Sequence, residues 1–252
     1  MEIHDLLTLY DSQVRARPRA LPGLTLEHRG GVLLLTGLFN FVCHWDFSDE
    51  DAAEVVAKLA ARFRGNAEGL IWDIYGHDRP AGLGDRLAAA GFVQEHVSTL
   101  MLMDLGTGAP AMPPGIEVRR VTDRAALKDF VRVSAEAFGK QADWQFDAYA
   151  GQLGSDQDLL FNAYVEGEPA GSSRIELNPG CPFAGLFGGA VSPRFQGLGR
   201  YRAMVAARAA AAGARGVRYL TTGAQETSRP ILQRLGFVPL TGITRWVSAA
   251  AE

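Results

Sequence analysis

The chain has 252 residues, a net charge of −3 and 47% apolar residues, enough for one large or two ordinary hydrophobic cores. This weakly acidic charge excludes a generally basic nucleic-acid-binding surface, and no nucleic-acid-binding module is evident, so such a partner is not expected. Cys43 and Cys181 lie in different halves and predict two buried thiols rather than a disulfide framework. The first residues lack a secretory pattern, and no stretch approaches roughly 18 apolar residues, so we predict a cytoplasmic protein without a membrane partner.

The first half predicts a helix followed by alternating strands and helices. Gly30 and Gly31 suit a tight hairpin between the first two strands. The predicted elements are a helix in residues 1–20, strands 24–29, 32–39 and 41–45, an amphipathic helix ending near residue 65, a strand 70–75, a helix 83–90 and a strand 97–105.

Residues 106–115 contain three prolines and three glycines, a composition typical of a linker. We therefore predict two domains, residues 1–108 and residues 115–252. The second domain is predicted to contain a strand 116–121, helices 123–138 and 143–153, strands 160–166, 170–177 and 183–191, an Ala-rich helix ending near residue 213, a strand 217–222, a helix from residue 227 or 228 to 235 and a strand 237–247.

The most informative motif precedes the Ala-rich helix, where Gln196 is followed by Gly197, Leu198 and Gly199. A glycine pair before a long helix leaves several backbone N–H groups unpaired and available to an anion. Six arginines lie between residues 194 and 218, and residues 177–225 lack Asp and Glu where about five are expected. The pattern favours a polyanionic ligand; the alternative is a surface turn before an ordinary helix.

Two familiar phosphate loops do not fit these residues. A nucleoside-triphosphate loop needs a lysine and a hydroxyl residue after its last glycine, where this chain has Arg200 and Tyr201. A dinucleotide loop needs a third glycine at the place of Arg202. Both classes of loop are therefore disfavoured.

The loop resembles the acyl-CoA-binding motif of the GNAT acyltransferase superfamily, [Q/R]-x-x-G-x-[G/A] after a strand that ends in Val-x-Pro. Val191, Pro193, Gln196 and Gly199 stand where the motif requires them, and Gly197, Leu198 and Arg200 occupy its free positions, whereas a tyrosine replaces the last small residue. The resemblance implies an α/β fold of the α+β type with a mixed sheet, acetyl-CoA or a similar acyl-CoA as donor, and an amine acceptor. By the same resemblance, the cofactor-binding residues are Ala190, Val191, Gln196, Gly197, Leu198, Gly199, Arg200, Tyr201 and Ser228.

An internal echo extends the resemblance to the whole chain. In each half, a short predicted helix is followed by Gly-Phe and a strand. The corresponding residues are Leu87, Gly91 and Phe92 in the first half and Leu232, Gly236 and Phe237 in the second. The chain thus resembles a tandem GNAT protein, for which a monomer organised as a pseudo-dimer is plausible. The entry to the helix near residue 52 contains four acidic residues and no glycine, so we predict a degenerate first copy that does not bind the cofactor.

The residues that GNAT relatives often use for proton transfer are absent from the second copy. Gly185 stands where many relatives have a glutamate base, and Leu232 stands where they often have a tyrosine acid. Glu176 is the best acidic candidate for orienting or deprotonating an amine, and the alternative, which the sequence favours, is a solvated charge at a strand end. Ser228 is a second candidate, for the pantetheine or the sulfur, or a plain helix cap.

Substrate contacts are expected from the second helix of the domain, a segment that often covers the acceptor pocket in GNAT proteins. Trp144 and Phe146 are the candidates, with core packing as the alternative. We predict an N-acetyltransferase that moves a short acyl group from acyl-CoA to an amine by direct attack, with no metal. The alternative is a CoA-binding sensor that is weakly active or inactive.

Overall fold

The computed structural model describes residues 2–21, 23–139, 143–197 and 199–248, and for residues 143–145 it describes the backbone alone. The chain forms two compact units. The first contains the described parts of residues 1–101, 223–230 and 239–252, and the second contains those of residues 102–222 and 231–238. Residues 239–248 thus belong to the first unit.

The elements follow the order predicted from the sequence, with different ends. The helices are α1 (Ile3–Tyr10), α2 (Ala52–Phe63), α3 (Leu83–Ala89), α4 (Arg124–Phe138), α5 (Asp143–Ala150), α6 (Arg200–Gly213) and α7 (Arg229–Arg234). The strands are β1 (Leu24–Arg29), β2 (Val32–Gly37), β3 (Phe41–Trp45), β4 (Ile71–Tyr75), β5 (Phe92–Asp104), β6 (Glu117–Arg120), β7 (Asp158–Val165), β8 (Glu168–Leu177), β9 (Phe183–Val191), β10 (Tyr219–Ala224) and β11 (Val238–Ser248). None of the helices in the described part of the chain is long and apolar enough to cross a membrane.

The first unit is built on a mixed sheet in which β1, β2 and β3 are antiparallel neighbours. Strand β3 runs parallel to β4, and β4 is antiparallel to β11, the last strand of the chain. Helix α2 places Val56, Leu59 and Phe63 against the sheet at the three- and four-residue spacing of one helix face. Trp72 of β4 lies at the centre of this core and is fully buried.

The strands of the second unit lie in the order β10, β9, β8, β7 and β6. The strands from β6 to β9 are antiparallel, and β9 is parallel to β10. Helices α4 and α6 cover opposite faces of this sheet. Asn162, the register partner of Ser172, donates to the Ala126 carbonyl of α4, whereas the adjacent Gly171 faces Met204 of α6.

The mixed α/β architecture predicted from the sequence is confirmed. The predicted ends of several elements are wrong: β5 begins at Phe92 rather than residue 97, because the chain enters the strand directly after the turn at Gly91. The helix predicted for residues 1–20 is shorter: α1 ends at Tyr10 and is followed by a π-helical turn from Asp11 to Arg15. The two predicted copies, residues 1–108 and 115–252, stay a prediction. The compact units reflect which residues contact one another and do not show where one sequence copy ends and the next begins.

The two cysteines differ in environment. Cys43 is buried in the first unit, and burial raises the pKa of its thiol to about 12, so it is an unreactive core residue as predicted. Cys181 is only half-buried, which corrects the prediction of a second buried thiol.

Candidate active site

The glycine-rich loop lies between β9 and α6 in the second unit. After Val191 the chain makes one 3-10 turn over Pro193–Phe195, and α6 then begins at Arg200. Gly197 and Gly199 have φ angles of 80° and 81°, in the left-handed region that a side chain disfavours. This backbone conformation turns the strand end into the helix start within a few residues.

The loop presents a group of backbone donors at the N-terminus of α6. Among the described residues, the N–H groups of Gly197, Gly199, Arg200 and Tyr201 have no acceptor. Leaving Leu198 aside, the first intrahelical bond after the loop runs from the Ala203 N–H to the Gly199 carbonyl at 3.0 Å. Donors of this kind, at the positive end of a 14-residue helix, form a site for an anion. We call the backbone from Gln196 to Tyr201 the phosphate cradle; Leu198 lies outside the described residues.

Strands β9 and β10 separate beside the cradle. Their parallel pairing covers only three residue pairs and ends at Thr221 and Gly185. The Thr222 hydroxyl then donates to the Leu186 carbonyl at 3.0 Å, and beyond this bond β9 continues to Val191 with its ladder on the β8 side only. The backbone of Ala190 and Val191 therefore faces an opening on the β10 side, and the role of these two residues in cofactor binding stays a prediction.

A β-bulge interrupts β9 at the same level. Arg174 of β8 pairs with Phe187, whereas Ser172 pairs with Ala190, so Gly188 and Gly189 both lie opposite one residue. Gly188 has a φ of 57°. A bulge leaves its extra residue outside the ladder, so backbone polar groups at residues 187–189 are available to a ligand in the opening. The pair of glycines inside a strand is the sequence signal for this irregularity.

A polar and aromatic cluster lies on the α4 and α5 face of the sheet, beside the bulge. The Arg174 guanidinium lies 5.0 Å from the ring centre of Phe187 and 5.6 Å from that of Tyr149 in α5. It also donates to the Glu176 carboxylate. Phe187 is 43% exposed, and Arg174 and Glu176 are partly exposed, so this cluster forms an accessible surface at the strand opening.

The sequence of this region matches a known family. Residues 124–237, which include β7 to β10, the bulge and the cradle, match the model of the acetyltransferase (GNAT) family. Residues 124–237 form a GNAT domain. The resemblance predicted from the loop residues is thereby confirmed.

Solved structures extend the likeness to the whole chain. A GCN5-related N-acetyltransferase from Kribbella flavida superposes with a TM-score of 0.73 at 14% identity, covering 99% of this chain and 97% of its own. A protein of unknown function from Staphylococcus epidermidis gives 0.68 at 14% identity, with coverages of 89% and 94%. A tandem GNAT protein from the clavulanic acid biosynthesis pathway gives 0.65 at 17% identity, with coverages of 99% and 95%. These likenesses show the fold, that of tandem GNAT proteins. No curated protein matches the chain in sequence.

The arginines of the GNAT domain are distributed differently from the sequence-based expectation. Among the six between residues 194 and 218, three pair with carboxylates from other segments: Arg194 with Glu168, Arg215 with Asp156 and Arg218 with Asp104. The positive charge around the cradle is therefore lower than the lack of acidic residues in 177–225 predicts. Arg200 remains beside it, with 8% exposure and with Nε and Nη1 lacking a hydrogen-bond partner.

Residues 185 and 232, the positions that lack the usual GNAT catalytic residues, are filled by apolar groups. A Cβ at Gly185 would lie 2.5 Å from Cε2 of Phe187, so the Phe187 ring covers the place where a side chain at residue 185 would project. Leu232 of α7 is buried. Neither position offers a proton donor or acceptor.

The predicted catalytic residues occupy different surroundings. Glu176 lies in the cluster beside the bulge, where its carboxylate accepts from Arg174. Ser228 belongs to a segment of the first compact unit and directly precedes α7, and its hydroxyl donates to the Gln225 carbonyl at 3.1 Å. Both interpretations of Ser228, the helix cap and the contact with a ligand, stay predictions.

Of the two predicted substrate residues, Phe146 packs against the core of α4 and contacts the Arg124 guanidinium, 5.0 Å from the ring centre. This packing favours the core interpretation, and a contact with the acceptor stays a prediction. The Trp144 side chain lies outside the described residues.

The first unit contains a corresponding pair of parting strands. Parallel β3 and β4 pair only at Phe41 with Ile71 and at Val42 with Trp72. The Arg15 guanidinium lies 5.2 Å from the ring centre of Trp45 and 4.0 Å from that of Tyr75, at the ends of these strands. The opening between β3 and β4 is therefore occupied by a side chain of the unit itself.

Carboxylates hold Arg15 in this place. Its two terminal nitrogens donate to both oxygens of Asp78, at 2.6 and 2.9 Å, and one also donates to Asp11 at 2.9 Å. His77 lies 2.8 Å from the second oxygen of Asp11. Asp11, His77 and Asp78 are close enough to share a metal ion, but both carboxylates already accept from Arg15, which would compete with a bound cation. This partly buried cluster around the buried Arg15 was not anticipated from the sequence.

Proposed function

We propose that the second unit binds acetyl-CoA, or another short acyl-CoA, and transfers the acyl group to an amine. The observation that carries the proposal is the alignment of three features along β9: the phosphate cradle after its end, the opening toward β10, and the bulge at residues 187–189. Each feature suits one part of an acyl-CoA. The cradle suits the diphosphate, the opening suits the pantetheine arm, and the bulge suits the thioester.

The backbone supplies most of the chemistry in this proposal. Amides of the cradle hold the diphosphate, and backbone groups of Ala190 and Val191 hold the pantetheine amides. An N–H group at the bulge polarises the thioester carbonyl. The neutral amine attacks that carbon, a C–N bond forms, the C–S bond breaks, and the thiolate takes up a proton released by the amine. Proximity and polarisation carry the rate, because neither Gly185 nor Leu232 can transfer a proton.

The acceptor approaches from the α4 and α5 face, where Glu176 is the acidic group nearest to the bulge along β8. A carboxylate held by Arg174 has a fixed direction, which suits the orientation of an ammonium or amine group. The first unit takes no part in cofactor binding in this proposal, because Arg15 occupies the opening between β3 and β4.

Release of free thiol from acetyl-CoA in the presence of a panel of small amines and peptides tests the proposal. We expect amine-dependent release with acetylated product detected by mass spectrometry. The alternative function, a CoA-binding sensor, is favoured by the missing side chains at residues 185 and 232. Tight CoA binding with no product across the panel would support the sensor and contradict the transferase.

Replacement of Glu176 by glutamine tests its orienting role. We expect kcat/KM for the amine to fall about 10-fold to 100-fold, the worth of one charge-assisted hydrogen bond, while acetyl-CoA affinity stays unchanged. Steady-state kinetics at varied amine concentration measures this. Glu117→Gln is a matched control, because Glu117 also pairs with an arginine two residues away on its strand but is exposed on β6. Equal kinetics for the two variants would remove Glu176 from the site.

A further inference from the structure

Arg208 is a buried charged residue that the proposed function does not use. It lies in the middle of α6, on the face that covers the sheet, and is 1% exposed. Its Nε donates to the Met204 carbonyl one helical turn earlier, at 3.1 Å. Its Nη1 donates to the Arg174 carbonyl of β8, at 3.3 Å. The side chain therefore spans from α6 to the strand beside the bulge.

The positive charge of Arg208 has no acidic partner. No carboxylate of the described residues forms an ion pair with it, and its Nη2 is buried without an acceptor. Burial lowers the pKa of the guanidinium to about 10, with a partly opposing contribution from Tyr201, so the group is still charged at neutral pH. An unpaired buried charge destabilises a fold, and packing alone would be served better by an apolar side chain of similar volume.

The Nη2 end of Arg208 lies beside the bulge and next to the Tyr201 side chain, a neutral group that interacts with the guanidinium but does not cancel its charge. Arg174, whose carbonyl it binds, is the register partner of Phe187, the residue that precedes the two bulge glycines. A Cβ built on Gly189 would lie 3.7 Å from Nη2 of Arg208 and 2.8 Å from the Tyr201 ring. Glycine at residue 189 thus allows the guanidinium and the Tyr201 ring to approach the bulge backbone from the α6 face.

We propose that Arg208 is a positioning residue for acyl transfer, which fixes the β9 bulge through the Arg174 carbonyl and places an uncompensated positive charge beneath the bulge backbone. The charge favours electron density on the thioester oxygen that the bulge is proposed to bind. Because charge pairs interact strongly in a water-poor interior, the effect requires no contact between Arg208 and the ligand. The inference deepens the proposed function and rests on it for the identity of the ligand.

Arg208→Met removes the charge and keeps a long side chain. We expect kcat to fall about 10²-fold, the effect typical of misplacing a reacting group or losing one oxyanion donor, with acetyl-CoA affinity within about twofold of the parent. We expect the melting temperature to be unchanged or raised, because a buried unpaired charge is removed. Arg208→Lys, which keeps the charge but not the fork of donors, should show an intermediate kcat. Arg215→Met, a change at a partly exposed residue just beyond the C-terminal end of the same helix, is the control and should retain the parent kcat.

Two measurements separate this inference from the proposed function. Hydrogen exchange of the peptide covering residues 183–191, measured without ligand, should be faster in Arg208→Met than in the parent. The infrared carbonyl frequency of bound, isotope-labelled acetyl-CoA should be lower in the parent than in the variant. Arg208→Gln replaces Arg208→Met in both measurements if the methionine variant does not fold.

The outcomes distinguish the two proposals. A parent protein that does not bind acetyl-CoA, with faster exchange at the bulge in the variant, would reject the proposed function and keep Arg208 as the residue that fixes the bulge. The inference about Arg208 would be overturned if Arg208→Met or Arg208→Gln showed the same hydrogen exchange at residues 183–191 as the parent. It would also be overturned if the parent were active and the variant had the same kcat.

Discussion

Replacing Gly199 by glutamate should abolish acetyl-CoA binding by the second unit. Gly199 precedes the first residue of α6 and contributes one of the N–H groups of the phosphate cradle. A carboxylate there would stand within a few Å of the proposed diphosphate, where like charges repel by about 3–4 kcal/mol at an effective dielectric constant of 20. The dissociation constant for acetyl-CoA, measured by calorimetry, should rise by about 10²-fold or more.

The matched control for this change is Gly216→Glu. Gly216 also has a left-handed backbone, with φ of 75°, and a side chain there meets nothing within 4 Å. It follows the C-terminal end of α6, so this variant carries the same charge and similar backbone strain away from the cradle. We expect parental affinity for Gly216→Glu. Parental affinity in Gly199→Glu as well would show that the cradle is misassigned.

Replacing Arg15 by methionine should destabilise the first unit by about 3–5 kcal/mol, because it leaves the carboxylate of Asp78 buried without its partner. The expected effect is large since this guanidinium makes paired hydrogen bonds to Asp78 and contacts the rings of Trp45 and Tyr75. Urea unfolding followed by tryptophan fluorescence measures the change, because Trp45 and Trp72 belong to the core of this unit.

Two comparisons test the cause of this loss. The variant Arg15→Met with Asp11→Asn and Asp78→Asn removes the stranded charges and should regain at least half of the lost stability. Arg62→Met breaks a partly exposed pair with Glu27 and should change stability by less than about 1 kcal/mol. A loss of less than about 1 kcal/mol in Arg15→Met would mean that the opening between β3 and β4 is held by other contacts.

The cradle was predictable because its determinants are local. Gly197 and Gly199 follow a strand and precede a long helix, and the structure gives both glycines the left-handed backbone that the loop needs. The order of helices and strands was predictable for the same reason, since hydrophobic periodicity and turn residues act over short distances. The confirmed family of residues 124–237 follows from this local pattern.

Other features depend on contacts between distant segments, which single-sequence patterns do not encode. Arg194, Arg215 and Arg218 find acidic partners far away in sequence, so the charge around the cradle could not be read from residues 177–225 alone. The return of β11 to pair with β4 is likewise a long-range event, with Arg245 and Asp73 joined by two bonds of 2.7 Å. The roles of Arg15 and Arg208 depend on burial, which the sequence gives no reason to expect for a charged residue.

The measurement that tests the central claim most directly is a crystal structure of the protein with coenzyme A. We expect the diphosphate within hydrogen-bond distance of the N–H groups of Gly197, Gly199, Arg200 and Tyr201, and the thiol near the bulge at residues 187–189. We expect no nucleotide between β3 and β4 of the first unit. A diphosphate bound away from the start of α6, or a second nucleotide in place of Arg15, would contradict the account.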